Sequence, residues 1–215
     1  MRTLPELLLI GGGGHCRSCI DVIEAEGKYK IAGIVNHSKG NRAQILGYDV
    51  LGDDEDLPEL LKKHPNALIT VGQIKSADLR LKLFLQVQRL GFVLPTIISP
   101  RAYVSKNASL GFGTIVMHDA LVNTGAKIGN NCILNIKSLV EHDAVVENHC
   151  HISTSSVVNG GTIIREKTFI GSNTITKEYI TVGKTSVIGG GLRVMSDVQE
   201  NTLMKNNEHI IVEKG

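Results

Sequence analysis

The sequence predicts a two-part chain: a small α/β unit with a Rossmann-like parallel sheet over residues 1–97, then an all-β parallel β-helix over 98–215. Two observations in the second half carry this. From Ile98 to Val194 an aliphatic residue recurs at every sixth position, as in Ile98, Val104, Leu110, Val116, Val122, Ile128 and Leu134, and only Thr176 interrupts the beat. Four positions after the aliphatic comes a small side chain, such as Ala102, Ala120, Cys132, Ser138, Cys150 or Thr162. A six-residue period of this kind is the signature of a solenoid built from short strands. The third observation lies before Ile98, where the period is absent and strand-like and helix-like segments alternate, as in a parallel α/β sheet.

The elements of the first part follow in order. Leu7-Leu8-Leu9-Ile10 reads as a buried strand, and Gly11-Gly12-Gly13-Gly14 turns the chain into a helix over His15–Glu26. Lys30–Val35 is a second strand. Glu55–His64 reads as helical, with Asp53 and Asp54 ahead of it as capping residues. Ala67–Val71 is a third strand, and Ser76–Leu90 an amphipathic helix with Leu79, Leu83, Val87 and Leu90 on one face. Phe92–Ile98 is a strand that leads into the repeat, with the boundary near Pro95–Pro100. At three hexapeptides per coil, the repeat makes roughly five to six coils stacked about 4.8 Å apart.

Composition agrees with this architecture. Hydrophobic residues make up 42% of the 215 but aromatics only 4%, with no Trp, which suits a narrow prism filled by Val, Ile and Leu. A net charge of +2 without a basic cluster gives no reason to expect nucleic acid. Cys132 and Cys150 occupy inward repeat positions, so buried free thiols in a reducing compartment are expected rather than disulfides. Cys16 and Cys19 have C-x-x-C spacing but lack the second ligand pair that a zinc site needs. The apolar run at Leu7–Ile10 is too short for a membrane span or a secretory signal, so the expectation is a soluble, cytoplasmic protein.

Three motifs carry chemistry. The glycine run follows a strand and opens a helix, the place where bare backbone N–H groups cradle phosphate. As a dinucleotide fingerprint it is partial: Gly11 and Gly13 fit, Cys16 takes the third glycine position, and the second strand ends in Val35-Asn36 without an acidic residue. Glu141-His142-Asp143 follows inward Val140, which puts His142 near a corner beside an acid able to orient its ring as a general base. His149-Cys150-His151 is the third, with His151 expected in an outward corner. On a triangular prism His142 and His151 need not meet within one chain; a trimer would let them approach across a subunit boundary.

At these residues the chain resembles the NeuD/PglD family of bacterial sugar acetyltransferases. The resemblance rests on Ile10-Gly11-Gly12-Gly13-Gly14-His15, Ile133-Leu134-Asn135, Ser138-Leu139-Val140-Glu141-His142-Asp143 and His151-Ile152-Ser153. It implies a left-handed β-helix and a homotrimer with active sites between neighbouring helices. Acetyl-CoA would be the co-substrate, with no metal, and a nucleotide-linked amino sugar the acceptor. His142 would be the general base, Asp143 its partner and Asn135 a further site residue. His151 would contact the thioester carbonyl, and Gly160, Ser172, Gly189 and Gly190 would line the CoA arm. Gly11, Gly13, Gly14 and His15 would hold the sugar nucleotide, together with Asn36, which with His37 stands where members of the family often have Asp.

The resulting expectation is N-acetylation of a nucleotide-linked 4-amino-4,6-dideoxyhexose for a surface glycan, by direct attack on the thioester. Alternatives are O-acetylation of a sialic-acid-like sugar, a non-catalytic β-helical protein, or a metal held across subunits by His118, His142 and His149 or His151.

Overall fold

The computed structural model describes residues 3–36 and 44–205. Its first part is a sheet of β1 (Glu6–Ile10), β2 (Lys30–Val35), β3 (Gln44–Ile45), β4 (Tyr48–Gly52) and β5 (Asn66–Ile69), with helices α1 (Gly14–Glu26), α2 (Leu57–Lys63) and α3 (Asp78–Leu90). The strand order is β3-β4-β2-β1-β5, and every pairing is parallel except the β3–β4 hairpin. Alternation along β1 sorts the layers. Leu7 and Leu9 pack with Cys16, Cys19, Ile20 and Ile23 of α1, while Leu8 and Ile10 pack with Leu57 of α2 and Leu83, Phe84 and Val87 of α3. A strand covered on both faces reads as an unbroken apolar run.

Several elements differ from the sequence expectation. The β3–β4 hairpin is too short to show a period. Helix α2 starts at Leu57 after Asp56, because Asp53 and Asp56 spend their carboxylates on the turn before it: Glu55 N–H donates to Asp53 Oδ1 at 2.9 Å and Asp53 N–H to Asp56 Oδ2 at 2.9 Å. Helix α3 buries Leu83 and Val87 as expected, but its inward face also takes Arg80 and Phe84, while Leu79 is exposed. The guanidinium of Arg80 finds main-chain acceptors inside, which Leu79 cannot use. The strand expected over Phe92–Ile98 breaks: Val93 makes a lone bridge to Asn66, and Ile97–Ile98 pairs instead with Ile115–Val116. Pro95 stands between the two with no N–H to give.

From Ile97 onward the chain winds as a parallel β-helix with three faces. Face 1 has seven strands starting at Ile97–Ile98, face 2 has six starting at Tyr103–Val104, and face 3 has five starting at Ser109–Leu110. Each strand pairs in register with the one a full coil later, as Ile133 does with His151 and Leu134 with Ile152. The second residue of each strand points inward with the small residues, so Val122, Leu134, Val140, Ala144, Cys150 and Ile152 pack together in one core. Thr176 is accommodated because its hydroxyl accepts from Asn159 N–H at 3.0 Å and meets Thr162 Oγ1 at 3.4 Å.

The corners have a period of their own. Every sixth residue from Gly113 to Gly191 is left-handed, with φ between 53° and 73°, and most are not glycine: Asp119, Asn131, Lys137, Asp143, His149 and Ser155 among them.

The α/β part sits on face 1. Ile97, Ile115 and Ile133 point outward from that face and are fully buried against Cys16, Cys19, Ile20 and Ile23. His118 pins the junction, with Nδ1 at 2.6 Å from Ser99 Oγ and Nε2 at 2.8 Å from Asp21 Oδ2 on α1. Among the described residues no helix is long and apolar enough to cross a membrane.

Candidate active site

Where the glycine loop meets face 1, a cavity of about 550 Å³ opens between the two parts. Its floor is the bare backbone that follows β1. A side chain at Gly11 is forbidden twice over, by φ of +110° and by Val71, whose Cγ2 would lie 2.3 Å from an added Cβ. Gly13 and Gly14 instead face open space, with nothing within 4 Å of an added Cβ. Gly13 precedes α1 without a side-chain cap and no acid occupies the first turn, so the N–H groups there are left for an anion. Gly12 N–H donates to Asn36 Oδ1 at 3.2 Å, which places Asn36 on the rim. His37 lies outside the described residues.

The β-helix supplies the opposite wall: Asn135, His151, Ser153, Phe169 and Ser172. Their hydrogen bonds run in one direction. Ile136 N–H donates to Asn135 Oδ1 at 2.8 Å, which fixes the amide with Nδ2 turned to His151 Nε2 at 3.1 Å. His151 Nδ1 lies 2.5 Å from the main-chain oxygen of Gln73, which can only accept. His151 is therefore the Nδ1–H tautomer, and its Nε2 accepts from Asn135. Burial, with some help from Arg80, brings its pKa down to about 4, while the Gln73 carbonyl pulls the other way. His15 stands beside it with ring centroids 6.3 Å apart. Burial first, then Arg80 and His151, brings its pKa down to about 3, and among the described residues its Nε2 has no partner. Both rings are neutral at physiological pH.

His151 corrects one expectation. It lies on a strand of face 1, not in an outward corner, and is buried because the α/β part covers that face. Phe169, next in its column, meets it edge-on with centroids 5.2 Å apart.

His142 belongs to a different place, the corner between faces 2 and 3. Asp143 follows with φ of 58°, which turns its carboxylate back so that Oδ2 accepts from His142 Nδ1 at 3.0 Å. Nε2 makes no hydrogen bond among the described residues. It stands over Gly160 in the next coil, where an added Cβ would come within 2.7 Å of it. Glu141 braces the corner, accepting from His142 N–H at 3.0 Å and Asn123 Nδ2 at 2.8 Å; the Asn123 hydrogen bond is the main reason its pKa is lowered. The imidazole remains about half exposed.

The expected residues thus fall into two groups within the chain. Gly11, Gly13, Gly14, His15, Asn36, Asn135, His151 and Ser172 line one cavity. His142, Asp143 and Gly160 share another corner. Gly189 and Gly190 continue the corner above Ser172: an added Cβ on Gly190 would lie 3.0 Å from the Ser172 oxygen, and one on Gly171 would lie 2.4 Å from Gly189. The coils stack so closely there that Gly171 has no room for a side chain. His118, His142 and His149 stand at three separate corners, and among the described residues no group of three or more His, Cys, Asp or Glu side chains is placed to hold a metal. All four cysteines are free and buried, and burial raises the pKa of each.

Sequence reasoning missed Gln73 and Phe169. Phe169 carried a signal, since it lies one coil after His151 in the outward register, where it faces the α/β part. Gln73 carried none. Its Nε2 donates to the main-chain oxygen of His149 at 2.9 Å, a contact set only by how the two parts dock.

The comparisons with known proteins agree with this geometry. Residues 6–85 match the family model described as the PglD N-terminal domain. PerB from Caulobacter crescentus, solved with CoA and GDP-perosamine, superposes with a TM-score of 0.86 at 30% identity, covering 93% of this chain and 93% of that one. The acetyltransferase domain of PglB from Neisseria gonorrhoeae, solved with acetyl coenzyme A, gives 0.84 at 28% identity over 92% of this chain and 94% of that one. WeeI from Acinetobacter baumannii shares the fold, with a TM-score of 0.82 at 19% identity over 95% of this chain and 98% of that one. No curated protein sequence matches the chain. The β-helix is the left-handed form. With its glycine loop, its buried imidazole wall and its cornered His–Asp pair, the chain belongs to the NeuD/PglD family of acetyl-CoA-dependent sugar acetyltransferases.

Proposed function

We propose that the protein N-acetylates the amine of a nucleotide-linked 4-amino-4,6-dideoxyhexose, as a homotrimer whose sites lie between neighbouring β-helices. The observation that carries this is the separation of the two groups of residues. One corner holds a half-exposed imidazole paired with a carboxylate; the cavity, at another corner, holds only His15 and His151, whose burial makes them poor bases. Face 2, between them, exposes an apolar stripe of Tyr103, Leu121, Leu139, Val157 and Ile175. A second copy seated there covers the stripe and brings His142 of one subunit to the Ser172 corner of the next. The solved relative PerB, with CoA and GDP-perosamine, supports the choice of co-substrate and of acceptor class.

In this reading the first turn of α1 holds the phosphates and the sugar reaches toward the subunit boundary. The amine nitrogen attacks the thioester carbonyl while His142 Nε2 takes its proton, and Asp143 holds the imidazolium that forms. Collapse of the tetrahedral intermediate breaks the C–S bond, and the imidazolium returns the proton to the departing CoA sulfur. His151 cannot donate from Nε2 while Asn135 occupies it, so main-chain N–H groups bear the oxyanion. The buried free thiols support the cytoplasm as the compartment.

Mass-spectrometric detection of acetyl transfer from acetyl-CoA to UDP-, GDP- and dTDP-linked amino sugars tests the proposal. Transfer to at least one of them, lost in His142→Ala, is the expected result. Transfer only to free nonulosonic acids makes the enzyme an O-acetyltransferase instead.

A further inference from the structure

Arg80 is an unusual residue to find inside this protein. It lies on α3 with 1% of its surface exposed, and among the described residues no carboxylate pairs with it. Its Nη1 donates to the main-chain oxygens of Ile69 at 2.7 Å and Val71 at 2.8 Å, its Nε reaches that of Asn131 at 3.3 Å, and among the described residues Nη2 has no partner. A guanidinium stripped of water and given only carbonyl dipoles is costly to bury. A leucine at this register would fill the same core without that cost, so packing alone does not account for it.

What Arg80 holds leads to the cavity wall. Ile69 ends β5, and Val71 and Gln73 form the loop that follows. Arg80 grips that loop from beneath. From the other side, Gln73 Nε2 is bound to the His149 oxygen, and the Gln73 oxygen receives His151 Nδ1–H. The third contact of Arg80, to Asn131, belongs to the β-helix, so one side chain spans both parts. Its rigid planar fork reaches acceptors from two separate nitrogens, Nη1 and Nε, a spread that a compact ammonium does not reproduce.

We propose that Arg80 is a positioning residue for acetyl transfer: it fixes the Val71–Gln73 loop so that His151 is locked as the Nδ1–H tautomer with Nε2 turned to the Asn135 amide. The inference rests on reading this cavity as the acetyl-transfer site. The charge acts in the same direction. His15 on α1, His149 at a corner and His151 on face 1 all face the guanidinium, as do the thiols of Cys19 and Cys132, and its field disfavours a proton on each imidazole.

Two-bond ¹H–¹⁵N spectra of protein labelled at histidine test this without relying on activity. In the unaltered enzyme at pH 6, His151 is expected to show a protonated Nδ1 and an unprotonated Nε2. In Arg80→Lys, which keeps the charge but loses the fork, a mixture of tautomers is expected, with kcat reduced about 10²-fold by misplacement of the wall and KM for the sugar nucleotide little changed. A folded Arg80→Lys enzyme with the original His151 spectrum and kcat overturns the proposal. Should that variant not fold, the unaltered enzyme still decides: His151 found protonated, or as the Nε2–H tautomer, also overturns it. Absence of acetyl transfer with the expected tautomer intact counts against the assigned reaction, not against the role of Arg80 in the loop.

Discussion

Gly160 lies against the imidazole of His142, so close that a methyl group on its Cα would stand 2.7 Å from Nε2 and 2.8 Å from Cε1. Its φ is not in the left-handed region, so alanine fits the backbone and only the ring must move. Gly160→Ala is therefore expected to fold normally and lose about 10² in kcat, the cost of a displaced base. A crystal structure of the variant checks it by showing the His142 ring rotated away.

Removing the proposed base outright is expected to have a larger effect. His142→Ala is expected to lower kcat by about 10² to 10⁴ while acetyl-CoA still binds, as calorimetry will show. Turnover near that of the unaltered enzyme removes His142 from the mechanism.

Asp143 calls for a more careful substitution. Its φ of 58° is one that asparagine adopts at less cost than alanine. Asp143→Asn keeps the corner but no longer favours Nδ1–H or steadies the imidazolium, and a loss of about 10 to 10³ in kcat is expected. Thermal melting should show a midpoint close to that of the unaltered protein, whereas Asp143→Ala should melt lower.

Acid should destabilise the protein before its carboxylates protonate. His15 and His151 have folded pKa values of about 3 and about 4, against an ordinary 6.5. As pH falls below 6.5 the unfolded chain takes up protons that the native state refuses. Stability is thus full above 6.5 and falls toward pH 4, with a slope of up to about 1.4 kcal/mol per pH unit for each ring. Melting curves between pH 7 and 5 measure it, and His151→Gln should flatten the dependence.

The apolar stripe on face 2 gives the test of assembly. Leu139→Lys places a charge in its middle, and light scattering is expected to show monomers that remain folded by circular dichroism. Acetyl transfer should disappear with the trimer, although neither His142 nor the glycine loop has been altered.

Much of the fold is legible in the sequence because a solenoid repeats its constraint. Val122, Val140 and Val158 occupy one column and each confirms the others, so Thr176 alone cannot hide the period. The glycine loop is legible for a similar reason: Gly11 must be glycine, and Gly13 and Gly14 advertise bare backbone. What cannot be read depends on docking between the two parts. His151 looks like a corner residue until face 1 is known to be covered. Arg80 looks like the polar side of α3 until the carbonyls of Ile69 and Val71 are seen beneath it. Leu79 appears the better core residue on hydropathy alone, yet the helix turns it to solvent.

The stacked coils also make the protein a measuring device. Each turn of the solenoid advances by one strand spacing, about 4.8 Å. The rung on which the α/β part docks and the rung that bears His142 are fixed by how many turns separate them. A relative with one turn added between those rungs would carry its counterpart of His142 a strand spacing further from the glycine loop, and under the proposed reaction its acceptor sugar would have to be longer by about as much.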